Sequence, residues 1–234
     1  SNAGAVYFFE RLGTAWTQKS EFLGSTGARL GMDVDVFGHT AIAGAPGINA
    51  AYLYDFNAVT WTQVQTLLGS SAGAAGGFGA SVAVDQSTAV VGAPSAGSGY
   101  GAAVVYVDNG ASWVRQQTLF ASDRVEGDHY GSAVDISGNA LVVGAPTASG
   151  TAGAMYTYSR TGSTWGDEEK HTRFAGAAGD FFGAAVAIDE GSAIVASMGC
   201  KTVRASASSS CVRVTTSGWL VMSSTPPFDR SLRY

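Results

Sequence analysis

Asp33 and Asp35 form the one Asp-X-Asp pair of the sequence, and paired carboxylates are groups that can bind a metal ion. Alternate residues of a β-strand point to the same face of a sheet, so a strand here would place both side chains on one face. The two alternatives are a pair of metal ligands and polar side chains that line an interior channel. The second alternative is favoured.

The three histidines are His39, His129 and His171, and they are far apart in the sequence. Zinc binding or general-base catalysis would need two or more convergent ligands, or a partner acid at a defined spacing. Surface histidines explain the pattern better. The sequence also lacks a Gly-X-Ser-X-Gly nucleophile motif and a phosphate-binding glycine loop that leads into a helix. We therefore expect no catalytic residues and no enzymatic activity.

A repeated unit must position any functional residues of this chain. An aromatic residue or leucine followed by glycine opens each copy, and three of the copies close with Gly-Ala-Pro. The opening glycines are Gly31, Gly79, Gly131 and Gly183, at separations of 48, 52 and 52 residues; the closing prolines are Pro46, Pro94 and Pro146. A tryptophan follows in each copy, at Trp61, Trp113, Trp165 and Trp219. A fixed period of this size indicates stacked copies of one structural unit.

The copy that begins at Phe78 predicts four strands. They are Ala80 to Val84, Thr88 to Gly92, Ala102 to Val107 and Ser112 to Leu119. Asn109-Gly110 is a favoured hairpin turn, and proline ends a strand because it cannot donate a ladder hydrogen bond. Four antiparallel strands every fifty or so residues favour an all-β fold, a β-propeller of four to five blades, over a sandwich. The recurrent aromatic residues are expected to pack between blades.

The opening and closing motifs resemble FG-GAP repeats, the blades of integrin-α-type propellers. Phe78-Gly79 with Gly92-Ala93-Pro94 and Tyr130-Gly131 with Gly144-Ala145-Pro146 carry the resemblance, and Phe182-Gly183 opens a last copy that has lost the Gly and Pro. Integrin-type blades often bind calcium in an acidic loop between the first and second strands. The loops here, among them Asp85-Gln86-Ser87 and Asp189-Glu190-Gly191, are too short and too weakly acidic for six or more oxygen ligands. The expectation is no calcium and no other cofactor.

The domain organisation follows from the copies. Residues 1–3 look like a tag remnant, and residues 4–197 form the repeats: a half-blade at 4–23, blades at 26–68, 71–120 and 123–172, and the first half of a blade at 177–197. Residues 198–234 are a diverged half-blade that includes Trp219, a C-terminal extension or a misread frame. The two half-blades either pair to close a four-bladed ring or belong to a fragment of a larger ring, since members of the resembled family usually have seven blades.

Two cysteines, Cys200 and Cys211, lie in a Ser-rich stretch. The sequence is equally compatible with a disulfide between them and with two free thiols.

The net charge of −5 gives no basic face for nucleic acid. Since no run of 18 apolar residues exists, membrane insertion is not expected. The resemblance implies an extracellular or cell-surface location, although no signal peptide is recognised in this sequence.

The longer loops are expected on one face of the propeller, where binding residues tend to lie. Tyr100, Arg124, Glu126 and His129 are the candidate contacts on these loops. Asp128 and Asp180 each precede an aromatic-Gly pair by two positions and are expected to accept backbone hydrogen bonds within the loop. The favoured function is a non-catalytic adhesion or binding module for a protein or glycan. The alternative is an ancillary substrate-binding domain of a larger secreted enzyme.

Overall fold

The structure, a computed structural model, describes residues 2–199, which form sixteen β-strands. The strands are β1 (Ala5–Leu12), β2 (Ala15–Leu23), β3 (Val34–Phe37), β4 (Thr40–Ala45), β5 (Ala50–Phe56), β6 (Trp61–Leu68), β7 (Ser81–Asp85), β8 (Thr88–Ala93), β9 (Ala102–Asp108), β10 (Trp113–Leu119), β11 (Ala133–Ser137), β12 (Ala140–Ala145), β13 (Ala154–Thr161), β14 (Thr164–His171), β15 (Ala185–Asp189) and β16 (Ser192–Ala196). Cys200, Cys211 and Trp219 lie outside the described residues, so the three alternatives for the C-terminal segment stay open.

The strands form three complete four-stranded antiparallel sheets, which we call blades 1, 2 and 3. Blade 1 contains β3 to β6, blade 2 contains β7 to β10, and blade 3 contains β11 to β14, each in sequential order. β1 pairs with β2 as an N-terminal half-blade, and β15 pairs with β16 as a C-terminal half-blade. The predicted all-β architecture of four-stranded antiparallel meanders is confirmed.

The second strand of each complete blade is the most buried. β8 has the sequence TAVVGA, and every one of its residues is buried. A strand that lies inside its sheet and is covered on both faces needs few polar residues, which explains the apolar run from Ala89 to Ala93. Pro94 follows β8 and Pro146 follows β12, as expected for a residue that cannot donate to the ladder. The loops after these strands contain tight turns, Ala96–Gly99 and Ala148–Thr151, and the two central residues of each turn are left-handed, with φ between 54° and 68°.

The repeated glycines lie where successive copies cross. Gly131 has φ 88°, and a Cβ built there would lie 2.2 Å from the carbonyl oxygen of Ala102 in the preceding blade. A Cβ on the closing glycine Gly92 would lie 2.1 Å from the carbonyl oxygen of Gly131. Gly131 also donates a 3.0 Å hydrogen bond to the carbonyl of Gly144, which holds the start of its copy against the end of the second strand. The repeat therefore needs glycine because no side chain fits between the blades.

The first strands of the blades, β3, β7, β11 and β15, lie next to one another in that order. Backbone N–H groups of each of the last three strands donate to side chains of the strand before. Asp35 Oδ2 accepts a 2.7 Å bond from the Val84 N–H, and Asp135 Oδ2 accepts a 2.6 Å bond from the Ile188 N–H. These bonds occupy backbone groups that would otherwise remain available on open strand edges.

The outer strands are joined by a second repeated contact. In β6, the Gln65 amide donates to the Trp113 carbonyl at 2.7 Å and accepts from the Trp113 N–H at 2.9 Å. Gln117 of β10 makes the same two bonds to Trp165, at 2.8 and 2.9 Å. Ser20 of β2 holds the Trp61 backbone in the same way. Trp61, Trp113 and Trp165 are thus each fixed by the residue four positions after the preceding tryptophan.

Packing between blades is confirmed for Trp61, Trp113 and Trp165, whereas Trp16 is 65% exposed. Trp219 lies outside the described residues. The Trp61 ring of blade 1 stacks on Phe8 of the N-terminal half-blade, with ring centroids 4.6 Å apart. Trp113 and Trp165 are buried. None of the helices in the described part of the chain is long and apolar enough to span a membrane.

Candidate binding surface on the loop face

The loops of blades 2 and 3 form one continuous surface. The loop after β8 meets the linker between blades 2 and 3, because the His129 N–H donates to the Gly99 carbonyl at 2.9 Å and Gly101 bridges Tyr130. The loop after β12 meets the next linker in the same way, through the bridge from Gly153 to Phe182. The expectation that the longer loops share one face therefore agrees with the structure.

Three exposed side chains form an aromatic-cationic cluster on this surface, consisting of Tyr100, Phe120 and Arg124. The Arg124 guanidinium carbon lies 4.6 Å from the centroid of the Phe120 ring and 5.9 Å from that of Tyr100. Phe120 is 41% exposed and Tyr100 is 37% exposed. Cation–π attraction holds the guanidinium against the rings while leaving its N–H groups accessible. Sequence reasoning identified Tyr100 and Arg124 but missed Phe120, which comes directly after β10.

His129 was expected to be available to contact a partner, but its ring is held by residues of two neighbouring loops. Its Nδ1 lies 2.8 Å from the Gly127 carbonyl and 2.7 Å from Thr147 Oγ1. The Thr147 hydroxyl donates to the same carbonyl at 2.5 Å. His129 is half-buried and has φ 53°, so it joins two loops and supports their shape. Glu126, the fourth predicted residue, is exposed in the same linker.

Buried carboxylates hold the linkers in place, as the sequence predicted. Asp128 Oδ2 accepts a 2.7 Å bond from the Val125 N–H, and Asp180 Oδ2 accepts a 2.8 Å bond from the Ala177 N–H. Asp180 is also paired with Arg173 at 2.6 Å. Because each carboxylate lies inside its own linker, the exposed residues around it are fixed relative to the blade. Val125, which is 62% exposed, is presented in this way beside Arg124.

A tyrosine network below the surface was not foreseen from the sequence. The Tyr130 hydroxyl donates to the Tyr158 hydroxyl at 2.8 Å, and that hydroxyl donates to Glu168 Oε2 at 2.9 Å. Glu168 Oε1 accepts from the backbone N–H and hydroxyl of Ser122, at 3.1 and 2.7 Å. Burial raises the pKa of both tyrosines, so the hydroxyls stay protonated and can donate. The linker between blades 2 and 3 is therefore anchored to the outer strands of blade 3.

Asp123 anchors the same linker through charge. Its carboxylate accepts a 2.8 Å bond from the Tyr156 hydroxyl and a 2.5 Å bond from Lys170 Nζ. Burial alone would raise the pKa of Asp123, but the hydrogen bonds from Lys170 and Tyr156 outweigh burial and hold that pKa below its usual value. The carboxylate is thus kept ionised, and its bonds hold the linker against β13 and β14.

Asp33 and Asp35 join blades 1 and 2. Asp33 Oδ2 accepts a 2.8 Å bond from the Val82 N–H, next to the bond from Val84 to Asp35. Each carboxylate thus bonds the backbone of the next blade, a role that neither sequence alternative included. Burial raises the pKa of Asp135, the equivalent residue of blade 3, with the charges of Asp35 and Asp189 adding to the rise. Over residues 2–199, no group of three or more His, Cys, Asp or Glu side chains is arranged to hold a metal ion.

The three histidines are not brought together. His39 lies in the turn between β3 and β4, with its ring centroid 5.8 Å from that of Phe56. His171 Nε2 lies 3.0 Å from Thr157 Oγ1 on blade 3. The third histidine belongs to the loop surface described above. Their separation agrees with the sequence interpretation that they form no common site.

Comparison with known families finds FG-GAP repeats in this chain. Two segments match, residues 61–107 and residues 113–158. Each matching segment begins at a tryptophan and runs through the fourth strand of one blade and the first strands of the next, so the family unit spans a blade junction. A search of curated proteins found no match to the chain. FG-GAP repeats are typical of extracellular adhesion and binding modules.

Proposed function

Because FG-GAP repeats form its central blades, we propose that this chain is a non-catalytic extracellular module that binds a protein or a glycan through its loop face. The observation that carries the proposal is the exposed cluster of Tyr100, Phe120 and Arg124, in which the guanidinium lies 4.6 Å from the Phe120 ring centroid. The family supplies the class of function, and the cluster supplies the candidate surface.

The residue types of the cluster support binding. Tyrosine, phenylalanine and arginine are enriched at the centres of protein interfaces, and aromatic rings also stack on the faces of sugars. Aromatic rings lose little conformational entropy on binding because they have only two side-chain torsions. A partner that covers Phe120 and Val125 would remove apolar surface from water while it hydrogen-bonds to Arg124.

The rigidity of the surface also supports binding. Asp128 fixes the linker from within, and Glu168 and Asp123 tie it to blade 3. A loop already held in one conformation loses less entropy when a partner binds. The exposed cluster is therefore built on a support that resembles a preorganised binding site.

The arrangement of polar groups gives the reason for proposing a non-catalytic role. Among the hydroxyl–imidazole pairs in residues 2–199, the shorter is that of Thr147 Oγ1 and His129 Nδ1, at 2.7 Å, against 3.0 Å for Thr157 and His171. The Thr147 hydroxyl, however, donates to the Gly127 carbonyl at 2.5 Å, so its proton is directed away from the imidazole. General-base activation of a hydroxyl requires the proton to face the base.

The test is a binding screen with matched variants. The protein, immobilised by one terminus, is probed with a glycan array and a panel of purified extracellular proteins, and each hit is measured again with Arg124→Ala and Phe120→Ala. We expect each variant to lose about tenfold or more in affinity, as truncations of central interface residues do. Arg11→Ala is the control, since Arg11 is exposed on β1 and its side chain bonds only the Gly13 carbonyl. Binding that is unchanged in both cluster variants would refute this surface.

A further inference from the structure

A pocket of about 230 Å³ lies between blades 1 and 2, where β6 runs into the linker that follows it. We call it the corner pocket. It is lined by the end of β6, by Ser71 of the linker, and by Tyr106 and Arg115 of blade 2. Pockets for drug-sized ligands usually measure about 300–1,000 Å³, so this one matches a smaller molecule or a single group of a larger ligand.

Tyr106 brings an unpaired hydroxyl to the corner pocket. The residue is only 6% exposed, and its ring packs edge-to-face against Phe78, with the ring centroids 6.5 Å apart. Within residues 2–199, however, no protein group forms a hydrogen bond with this hydroxyl. Because buried polar groups nearly always have a hydrogen-bond partner, the hydroxyl indicates a partner that enters the pocket from outside the chain.

Arg115 provides further hydrogen-bond donors in the same pocket. Burial raises the pKa of Tyr106 to about 12, and the positive charge of Arg115 opposes that rise because the two side chains are close. The Arg115 Nη1 group donates to the Ala72 carbonyl at 3.0 Å, which fixes the side chain against the linker. The protonated Tyr106 hydroxyl and the other N–H groups of the guanidinium are therefore available together.

No acidic residue balances the charge of Arg115 in this corner. β6, β10 and the linker at 69–78 contain no Asp or Glu. In the described part of the chain, Arg115 also forms no ion pair. Since the whole chain has a net charge of −5, the corner pocket is a local positive site on an acidic protein. Its ligand is therefore expected to be an anion.

The equivalent corner between blades 2 and 3 indicates which anion fits. Tyr106 pairs with Ala89 in blade 2, and Tyr158 pairs with Leu141 at the same position of blade 3, 52 residues later. There the Tyr158 hydroxyl donates to Glu168 Oε2 at 2.9 Å. The fold thus places a carboxylate of the chain itself against this tyrosine.

The fourth strand decides what each corner contains. Its pairing with the third strand is irregular in both blades, and this irregularity lies at Arg115 in blade 2 and at Glu168 in blade 3. In blade 3, the Glu168 carboxylate also accepts from the backbone N–H and the hydroxyl of Ser122 in the linker. In blade 2, a guanidinium occupies the place of that carboxylate. A carboxylate from outside the chain would complete the corner pocket with the opposite charge.

We propose that the corner pocket binds the carboxylate of a small acidic ligand, with the Tyr106 hydroxyl and the Arg115 guanidinium as donors. A guanidinium matches the two oxygens of a carboxylate, and hydrogen bonds between charged groups are the strong ones. The exposed Ser71 hydroxyl is a third donor, and Leu68, which is 44% exposed, contacts the apolar part of the ligand. Acidic sugars and acidic amino acids both carry such a group. This site does not depend on the cluster of the loop face.

The first experiment follows the Arg115 Nε–H signal of the full ¹⁵N-labelled chain by NMR during titration. The probes are glucuronate with glucose as its neutral match, and N-acetylglutamate amide with N-acetylglutamine amide as its neutral match. We expect saturable shifts with at least one acid, with a dissociation constant on the order of 1 mM because few contacts hold so small a ligand. Each neutral match should bind at least about tenfold more weakly than its acid. The acid that binds more tightly identifies the source of the carboxylate as a sugar or an amino acid.

The second experiment repeats the titration with variants. Tyr106→Phe keeps the ring and removes the hydroxyl, and Arg115→Gln removes the charge; each should weaken binding about tenfold, since a hydrogen bond to a charged group is lost. Arg11→Gln is the control, because Arg11 is exposed on β1 and bonds only the Gly13 carbonyl. Tyr106→Phe should also melt no lower than the unmodified protein, because its hydroxyl has no partner within residues 2–199, whereas Tyr158→Phe should melt lower.

Four results would overturn the proposal. The first is the absence of a saturable shift at Arg115 with either acid, at concentrations about tenfold above the expected dissociation constant. The second is equal affinity of Tyr106→Phe and the unmodified protein for the acid that binds. The third is inorganic phosphate binding more tightly than both acids, which would show a site for a different anion. The fourth is a shift centred on the Arg124 Nε–H signal, which would place the ligand at the loop-face cluster.

Discussion

The repeated contact between glutamine and tryptophan supports the most quantitative prediction. Gln117 is the sole side chain that bonds both backbone groups of Trp165 in the described structure, with distances of 2.8 and 2.9 Å. Gln117→Ala removes both bonds and leaves the Trp165 N–H and carbonyl without them in a partly buried junction. A net hydrogen bond contributes about 1 kcal/mol, so the variant should lose about 2 kcal/mol of unfolding free energy.

This loss is measurable by thermal unfolding. For a chain of this size, 1 kcal/mol shifts the melting temperature by about 2–4 °C, so Gln117→Ala should melt about 4–8 °C lower. Gln65→Ala breaks the equivalent bonds to Trp113 at the preceding junction and should cost a similar amount. Since the two junctions share no residue, the double variant should lose the sum of the two within about 0.5 kcal/mol.

The control for this prediction is Gln63→Ala. Gln63 lies on the same strand as Gln65, but its amide donates only to the exposed Thr66 hydroxyl, at 3.1 Å. We expect a change within about 0.5 kcal/mol, as for most surface substitutions. If Gln117→Ala melts at the same temperature as Gln63→Ala, the contact between glutamine and tryptophan does not hold the blades together, and the reasoning is refuted.

Three further predictions concern the glycines, metal ions and pH. Gly131→Ala places a Cβ 2.2 Å from the Ala102 carbonyl at φ 88° and should lower the unfolding free energy by about 3 kcal/mol or more. The control Gly138→Ala, with φ 57° and no atom within 4 Å of its Cβ, should lower it by about 1 kcal/mol. Equal melting temperatures of the two variants would contradict the role of the blade crossing. A chelator should leave the melting temperature unchanged to within about 1 °C, because the loops between the first and second strands are too short to supply the six or more oxygens of a calcium site. A large drop in melting temperature would refute this expectation. The lowered pKa of Asp123 contributes stability above the unfolded value of about 3.9, and this stability is lost as pH falls through the lower folded pKa. Asp123→Asn should therefore melt below the unmodified protein at pH 7, and the difference should shrink towards pH 3; a constant difference would mean that Lys170 does not act through the charge.

The sequence predicted those parts of the candidate surface that depend on local chemistry. Asp128 was expected to accept hydrogen bonds within its own linker, and it does so over three residues. Tyr100 and Arg124 were placed on the same face from the order of strands and loops. The role of His129 was different, because its partner Thr147 lies in a loop that only the fold brings near. Phe120 was missed because the sequence does not show which loop contacts a residue at the end of a strand.

The tyrosine network shows what local patterns omit. Tyr130 resembles the aromatic residue of any opening pair, yet its hydroxyl meets Tyr158 and, through it, Glu168. In the preceding copy, the equivalent residue is Phe78, which has no hydroxyl. Nothing in the repeat distinguishes a tyrosine that anchors a linker from a phenylalanine that only packs. The distinction depends on which side chains the next blade presents.

By itself, the sequence determined the repeated unit, its four strands and the positions where only glycine fits. These features are set by neighbouring residues and by a period that is written into the chain, so they can be recognised without coordinates. The tertiary structure decided which groups meet across the junctions, such as Asp35 with Val84 and Gln117 with Trp165. Those partners lie about one repeat apart, and their contact depends on how one sheet is displaced and twisted against the next. Hydrogen bonds require alignment within a few tenths of an ångström, and that alignment exists only once the blades have packed.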